Sequence, residues 1–334
     1  MNPSLQSVLP VWLEPQWQKW QQLQNRLGHA YLLSGAKGIG LESFVELAAQ
    51  TIFCETRNAC GHCSGCHLLA TRQHPDFYHL TVLEDKKEIS VEQVRGLIGK
   101  LNETAHQGGF KIAWVECPER LNKSAFNAIL KSLEEPAEQT LFMLTTHQAA
   151  SLPATIISRC QKLSFAAPTL DVAQDWLQHA LPQADQALLT RALRLNWGAP
   201  MDAKNWIEAS KFEQDSEWKT TVKQLQAGQK TVSQVVELWL KWSQPDQVFD
   251  FFYLWTVSAL RAAFYKEGSH YSEAQKQNWL RFQQACLKAK QSWRGNANKQ
   301  LVLEALCLEW LQIQQSQTPL ESVFADENRK GKLA

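Results

Sequence analysis

Residues 30–44 read AYLLSGAKGIGLESF, and this stretch decides the fold of the first part of the chain. Its apolar beginning, residues 30–34, predicts a buried strand, and the helical spacing of apolar residues after the loop predicts a helix. Gly35, Gly38 and Gly40 lie between the two elements. A strand, a glycine-rich loop and a helix in this order are typical of a phosphate-binding loop.

Further strand and helix patterns alternate over the first half of the chain. Four more strands are predicted at Phe77–Leu80, Lys111–Glu116, Thr140–Thr146 and Gln161–Phe165. Helical spacing predicts helices at 43–52, 91–101 and 124–133, and Ser90 with Gln93 forms a capping box before the second. The alternation predicts an α/β domain with a mainly parallel sheet covered by helices on both faces.

Only helical patterns follow Pro168. Three helices are predicted at 171–181, 184–195 and 201–210, and longer ones at 232–242, 248–264, 273–293 and 299–315. The change of pattern predicts three units: an α/β unit over residues 1–167, a three-helix unit over 168–211, and an all-helical unit over 212–334.

Composition and charge exclude several classes of protein. The 334 residues are 44% hydrophobic and 20% charged, which is ordinary for a globular protein, and the net charge is +1. There is thus no global basic field, and any contact with nucleic acid has to be local or shared with partners. No apolar run reaches the roughly 18 residues of a membrane helix. Residues 1–15 lack the basic and apolar regions of a signal peptide, so we expect a cytoplasmic protein.

The glycine loop, residues 35–40, is not followed by the two side chains that nucleotide binding requires. A working loop has a Lys for the phosphates and a Ser or Thr for magnesium, whereas Leu41 and Glu42 occupy these positions. A unit-charge repulsion at about 4 Å costs about 4 kcal/mol, against about 1 kcal/mol that a helix N-terminus offers an anion. We therefore expect no productive ATP binding. Taken alone, the loop fits a glycine-rich turn unrelated to nucleotides equally well.

A second defect lies at the end of the strand Lys111–Glu116. A hydrolytic site places a water-activating carboxylate here, but the run is Glu116-Cys117-Pro118-Glu119. The thiol of Cys117 is a poor substitute for a carboxylate base.

The cysteine cluster, Cys54, Cys60, Cys63 and Cys66, has the spacing C-x5-C-x2-C-x2-C. Disulfides are rare in the cytoplasm, and four thiolates close a tetrahedral zinc site that has no open position, so such a site is structural. An iron–sulfur cluster, a redox thiol pair and free buried cysteines are alternatives that the spacing leaves open. His62 and His67 are surplus if all four cysteines bind the metal.

Two segments resemble the clamp-loader subunits of bacterial DNA polymerase III, which belong to the AAA+ family. Residues 127–136 read NAILKSLEEP, and residues 152–160 read LPATIISRC and end in the family's Ser-Arg-Cys. With the cysteine cluster and His74-Pro75-Asp76, the resemblance covers about the first half of the chain. It implies an AAA+ (RecA-like) core with a degenerate phosphate loop and a zinc module at 1–167, a helical lid at 168–211 and a helical collar at 212–334.

Within this family, the chain resembles the delta prime branch more than the ATPase branch, gamma or tau. Met201 stands where the ATPase branch has a nucleotide-sensing arginine, which adds a third loss to those at Leu41–Glu42 and Cys117. The resemblance implies a scaffold without intrinsic ATPase activity, yet part of the DNA polymerase III holoenzyme. Its implied partners are gamma or tau, the delta subunit, primed DNA within the complex and, indirectly, the sliding clamp.

Arg159 of the Ser-Arg-Cys run corresponds to the arginine with which the family reaches a neighbour's ATP. The resemblance therefore implies that Arg159 is an arginine finger, although an arginine without this motif is usually a surface residue paired with a carboxylate. Two other functions are alternatives: an active clamp-loader ATPase with an atypical loop, and a zinc-dependent module unrelated to clamp loading.

Overall fold

The structure is a computed structural model that describes residues 9–83, 86–107, 109–209, 211–265, 272–295, 297–316, 318, 320 and 322–324. Residues 1–8, which contain most of the segment interpreted as lacking an export signal, lie outside this part. Among the described residues, no helix has the length and apolar character needed to span a membrane.

A five-stranded parallel sheet forms the centre of the first unit. Its strands are β1 (Ala30–Gly35), β2 (Phe77–Leu80), β3 (Lys111–Glu116), β4 (Thr140–Thr146) and β5 (Gln161–Phe165). They lie side by side in the order β2-β3-β4-β1-β5, and every pairing is parallel. The prediction of a parallel sheet is confirmed, and all five predicted strands are present.

Helices cover both faces of this sheet. The helices of the first part are α1 (Glu14–Leu23), α2 (Leu41–Phe53), α3 (Ser64–Ala70), α4 (Val91–Leu101), α5 (Lys123–Glu134) and α6 (Ala154–Ile157). Leu33 of β1 joins a buried cluster with residues of α1 and α2, whereas its neighbour Leu32 joins another with residues of α4 and α5. Because successive side chains of a strand point to opposite faces, the two clusters are the two layers on the sheet.

Local signals explain where α4 and α5 begin. The Ser90 hydroxyl accepts the N–H of Gln93, whose side chain accepts the N–H of Ser90 in return, so the predicted capping box is confirmed. The Asn122 side chain accepts the N–H of Ala125 and caps α5. These caps define where the two helices begin. Helix α5 begins after Asn122, and its last turn ends at Glu134.

The remaining helices are α7 (Leu170–Ala180), α8 (Gln186–Leu195), α9 (Pro200–Glu208), α10 (Glu213–Gln226), α11 (Val232–Leu240), α12 (Gln247–Tyr265), α13 (Glu273–Arg294) and α14 (Lys299–Gln315). The chain forms two compact units: Met1–Ala184 with Gly198–Asp202, and Asp185–Trp197 with Ala203–Ala334. The division into core, lid and collar remains a prediction.

Aromatic side chains dominate the core of the second unit. Trp239 and Trp310 are fully buried, and both rings pack against Phe252. Trp218 meets the same ring edge-on at 5.2 Å between centroids. Such large rings bury much apolar surface each, so this unit has a hydrophobic core of its own.

Candidate functional site

The glycine loop joins the end of β1 to the start of α2. Gly38 and Gly40 have φ values of +71° and +95°, a left-handed backbone that other residues rarely adopt. Gly40 is the N-cap of α2. The turn therefore has the geometry that the glycine spacing predicts, between the elements that it predicts.

The two side chains after the loop point to different surroundings. Leu41 is completely buried and belongs to the apolar cluster that contains Phe44 and Val45. Glu42 is part-exposed, and its Oε1 lies 3.9 Å from Nε2 of His147, whose Nδ1 lies 3.1 Å from the carbonyl oxygen of Gly35. A hydrophobic anchor and a carboxylate thus stand where a cation and a metal-binding hydroxyl would be required.

The segment Gly198–Asp202 of the same unit lies directly on the glycine loop. The N–H of Met201 donates to the carbonyl oxygen of Gly38 at 3.0 Å. A Cβ added at Gly38 would come within 2.6 Å of the Asp202 carboxylate and 2.8 Å of Ala199. The close approach needs glycine at position 38, and the hydrogen bond places Met201 beside the loop.

The N-terminal segment covers the loop from another direction. The indole Nε1 of Trp12 donates to the carbonyl oxygen of Ile39 at 2.8 Å. Pro10 and Leu13 lie within 3.7 Å of the position that a Cβ on Gly40 would occupy. Main-chain groups of the loop therefore bond or pack against two other segments of the protein.

The end of β3 carries a thiol that stays protonated at neutral pH. Burial, reinforced by Glu119 and Glu116, raises the pKa of Cys117 to about 11. Its φ of +53° is left-handed, which marks a strained turn. A neutral thiol cannot take a proton from water, so Cys117 offers no general base.

The carboxylates on either side of Cys117 are bound by the protein itself. Glu116 Oε2 lies 3.0 Å from Nε2 of His79, and this hydrogen bond lowers the pKa of Glu116. The ring of His79 stacks on Trp114 at 3.9 Å. Glu119 accepts the hydroxyl of Thr146 at 2.9 Å. The polar groups at this edge of the sheet thus satisfy one another.

The arginine corner consists of Arg159 with Glu134, Thr155 and Ser158. Nη1 of Arg159 donates to the carbonyl oxygen of Thr155 at 2.9 Å and to the Ser158 hydroxyl at 3.2 Å. Nη2 forms an ion pair with Glu134 at the end of α5. The arginine side chain is 32% exposed. Arg159 is therefore paired with a carboxylate of its own chain while part of it faces solvent.

The sulfur atoms of the cysteine cluster converge on one point. All four lie within 4.8 Å of one another, with Cys60 and Cys66 at 4.0 Å and Cys54 and Cys63 at 3.9 Å. Zn–S bonds of about 2.3 Å in a tetrahedron separate the sulfurs by about 3.8 Å. The donor set and its spacing therefore fit one tetrahedral metal ion.

Hydrogen bonds around Cys54 favour its thiolate. Burial opposes ionisation, but bonds from Thr56 and from the N–H of Cys60 outweigh it and lower the pKa of Cys54 to about 5. Burial raises the pKa of Cys66. A cation at the centre would favour the thiolate at every position, because metal ligands bind deprotonated.

The His74-Pro75-Asp76 motif holds the chain that follows the cluster. His74 is buried and stacks on Phe53, the residue before Cys54, at 3.7 Å. The buried carboxylate of Asp76 accepts the N–H groups of His106 and Gln107 at 2.8 and 2.9 Å. This motif therefore supports the fold around the cysteine cluster.

Comparisons with known proteins identify the family. The family model described as DNA polymerase III, delta subunit, matches residues 14–169. The DNA polymerase III subunit delta' of Pseudomonas aeruginosa is 35% identical over 316 residues, which cover 88% of this chain and 96% of that protein. The chain belongs to the delta prime family of DNA polymerase III subunits.

Sequence similarity to the tau subunit of Escherichia coli covers about half of this chain. The DNA polymerase III subunit tau of Escherichia coli is 36% identical over 176 residues, 51% of this chain and 27% of tau. A gamma subunit-related protein from Thermotoga maritima covers 94% of this chain and all of its own with a TM-score of 0.48 and 17% identity. The match to delta' covers nearly the whole of both chains, whereas the match to tau covers half of this chain and a quarter of tau. This difference favours delta prime over the ATPase alternative. It also argues against a zinc module unrelated to clamp loading.

The structure brings together most of the residues that the sequence singled out. Leu41 and Glu42 directly follow the glycine loop, Met201 bonds to it at Gly38, and the four cysteine sulfurs converge on one point. Sequence reasoning missed the contacts of Trp12, His147 and Asp202 with the loop region. These contacts span between about 25 and 165 residues of chain, so no local pattern could have found them. Glu134 was part of the quoted signature, but nothing in the sequence paired it with Arg159.

Proposed function

We propose that the chain is a clamp-loader scaffold without ATPase activity, which holds a structural zinc ion and supplies Arg159 to the active site of a neighbouring subunit. The observation that carries the proposal is the glycine loop, which the protein's own residues cover at Gly38, Ile39 and Gly40. A triphosphate on this loop would have to displace the segment Gly198–Asp202.

Charge and packing both oppose a nucleotide at the loop. Glu42 closely follows the loop, and the Asp202 carboxylate lies beside Gly38. Both would repel a triphosphate on the loop, and each like charge at about 4 Å costs about 4 kcal/mol at an effective dielectric near 20. Leu41 is buried and contributes no cation. The helix N-terminus offsets only about 1 kcal/mol. These terms together favour a loop without nucleotide.

Arg159 serves a different active site in this proposal. An arginine that stabilises the charge of a transferring phosphoryl group accelerates the reaction by about 10³–10⁵-fold, or roughly 4–7 kcal/mol. The exposure of Arg159 supports this role, because a group that acts on another subunit has to be reachable from outside. Its pairing with Glu134 resembles an ordinary surface ion pair, so the role depends on the Ser-Arg-Cys resemblance and not on the pairing.

The zinc ion has a structural role in the proposal. Cys54, Cys60, Cys63 and Cys66 would hold it with four thiolates, which leaves no position for a substrate. The compact arrangement of the sulfurs favours a single ion, because a multi-iron cluster would hold its thiolates further apart.

The proposed partners are the gamma or tau ATPase subunits and the delta subunit of a cytoplasmic clamp loader. Primed DNA would lie within the complex, and the sliding clamp would be an indirect partner. With a net charge of +1, the chain should make few phosphate contacts and bind DNA poorly alone.

Reconstitution of the loader tests this function. Gamma or tau and delta are assembled with wild-type chain, with the Arg159→Ala variant or without the chain, and loading of the clamp on primed DNA is measured. We expect loading only when the chain is present, and a severe loss with Arg159→Ala despite normal assembly. Equal loading in all three mixtures would refute the proposed function.

A further inference from the structure

Groups of the same chain hold the guanidinium of Arg159 from two sides. On one side are the carbonyl oxygen of Thr155, within α6, and the hydroxyl of Ser158, the C-cap of α6. On the other side is the Glu134 carboxylate, at the end of α5. A free arginine side chain samples many rotamers, whereas contacts on two sides restrict it to one arrangement.

The elements that carry these groups are firmly anchored. Ile129 and Leu133 of α5 and Ile156 of α6 are almost completely buried in the same apolar cluster. The packed cluster fixes the end of α5 against α6. The separation of Glu134 and Arg159 therefore depends on the core and not on a flexible loop.

Glu134 occupies a position that disfavours a carboxylate. It is the last residue of α5, where the negative end of the helix dipole favours a cation. Its side chain is 48% exposed, so the core does not require it. The ion pair with Arg159 compensates for this unfavourable position.

The arginine keeps donors for a group outside the chain. A guanidinium has five N–H donors, and the contacts with Thr155, Ser158 and Glu134 use three of them. Within the described part of the chain, Nε and the second hydrogen of Nη2 have no acceptor. Glu134 thus fixes the guanidinium without consuming the donors that a phosphate would need.

We propose that Glu134 is a positioning residue that holds the Arg159 guanidinium in place before it meets the nucleotide of the neighbouring subunit. The proposal rests on the proposed function, since it assumes that Arg159 acts on another subunit. Less side-chain freedom is then lost when the two remaining donors bind the γ-phosphate.

The negative charge of Glu134 has an opposing effect on a phosphate. That repulsion acts from an exposed carboxylate, so water and salt screen it. The contact between Glu134 and Arg159 is a direct hydrogen bond, which screening weakens less than a repulsion over a longer distance. Positioning should therefore outweigh repulsion, and removal of Glu134 should lower the catalytic rate.

A double-mutant cycle in the reconstituted loader tests the proposal. Full-length Glu134→Ala, Arg159→Ala and the double variant are each assembled with the ATPase subunits and delta. The kcat and the KM for ATP are then measured with clamp and primed DNA. Glu134→Gln keeps an acceptor for Arg159. Glu135→Ala is the matched control, because it removes the neighbouring exposed carboxylate.

We expect Glu134→Ala to lower kcat up to about fivefold, the upper range for an exposed ion pair, with an unchanged KM. Glu134→Gln should recover most of the rate, and Glu135→Ala should behave as wild type. In the Arg159→Ala background, Glu134→Ala should have no further effect.

The outcomes separate the two proposals. If Arg159→Ala lowers turnover but Glu134→Ala leaves it unchanged or raises it, the positioning role is wrong and the proposed function stands. An equal loss from Glu134→Ala with and without Arg159 would show a structural role and overturn the inference. If Arg159→Ala itself has no effect, the proposed function fails.

Discussion

The glycine loop and the arginine corner lie in the same unit, but the loop is covered by other parts of the protein and the arginine is accessible to solvent. At the glycine loop, Leu41 is completely buried and the segment Gly198–Asp202 packs on the main chain. At the arginine corner, Arg159 is part-exposed and retains unused donors. The glycine loop is therefore called the closed site, and the arginine corner the open site.

Under the proposed function, this difference separates the loss of a subunit's own ATPase activity from the role of Arg159 in a neighbouring subunit. A phosphate loop cannot bind nucleotide when a buried apolar residue replaces its lysine and other segments of the chain pack on its main chain. A residue that acts on another subunit is unaffected by these changes, because it requires only exposure and a fixed position.

The largest expected effect tests the open site. Arg159→Ala should reduce ATP turnover at the adjoining site of the assembled loader by about 10³-fold or more, because the developing charge on the phosphoryl group loses its cation. Clamp- and DNA-stimulated ATPase activity gives the measurement. Arg72→Ala is a suitable control, since Arg72 is an exposed arginine near another glutamate, Glu46. Equal ATPase activity of the Arg159→Ala and Arg72→Ala loaders would contradict a role of the arginine corner in a neighbouring active site.

The cysteine cluster allows stability to be changed away from both sites. Cys66→Ser should reduce the zinc content from about one ion per chain to none, because a hydroxyl does not replace a thiolate ligand. We expect the Tm to fall by about 10 °C, on a scale of about 2–4 °C per kcal/mol. Elemental analysis and thermal melts give the readout.

Cys117→Ser provides the control, and it should retain its zinc. Acid should release the ion from the wild type, since protons compete for the thiolates. A wild-type protein that contains no zinc after purification without chelators would refute the metal site.

A smaller effect tests the closed site. Leu41→Lys restores the missing lysine of the loop, but it places a charge in a completely buried position. We expect a loss of about 3 kcal/mol in unfolding free energy and no gain of nucleotide binding. Denaturant unfolding and an ATP titration check both parts. A stable variant that binds ATP would show that the loop is open.

The smallest effect concerns the cover over the loop. Trp12→Phe removes the indole bond to the carbonyl oxygen of Ile39 and should cost about 1 kcal/mol of stability. The neighbouring Trp12–Trp176 ring contact should weaken slightly as well. Denaturant midpoints measure the change, and a midpoint equal to that of wild type would show that this segment does not hold the loop.

Much of the fold could be predicted from the sequence because its signals are local. The centre of β4, residues 141–144, is an uninterrupted apolar run, and the start of α4 carries a complete capping box. Helix α1 was missed, because its sequence is mostly polar and it is anchored chiefly by Trp17 and Trp20. Helix α3 was missed because it has only seven residues and follows directly on the cysteines.

The candidate site was predictable in its residues but not in its contacts. The missing Lys and Ser or Thr could be read directly, and the four cysteines by their spacing. Charge alone suggested why Glu42 opposes a triphosphate, whereas the burial of Leu41 and the packing of Asp202 on Gly38 depend on tertiary structure. The partner of Arg159 lies 25 residues earlier, on another helix.

The most direct test of the account is a titration of the isolated full-length chain with ATP and magnesium. Covered main-chain groups and two carboxylates at the loop predict no saturable binding at millimolar ATP. Tight binding that depends on magnesium and is abolished by Gly38→Val would show a working phosphate loop and contradict the account.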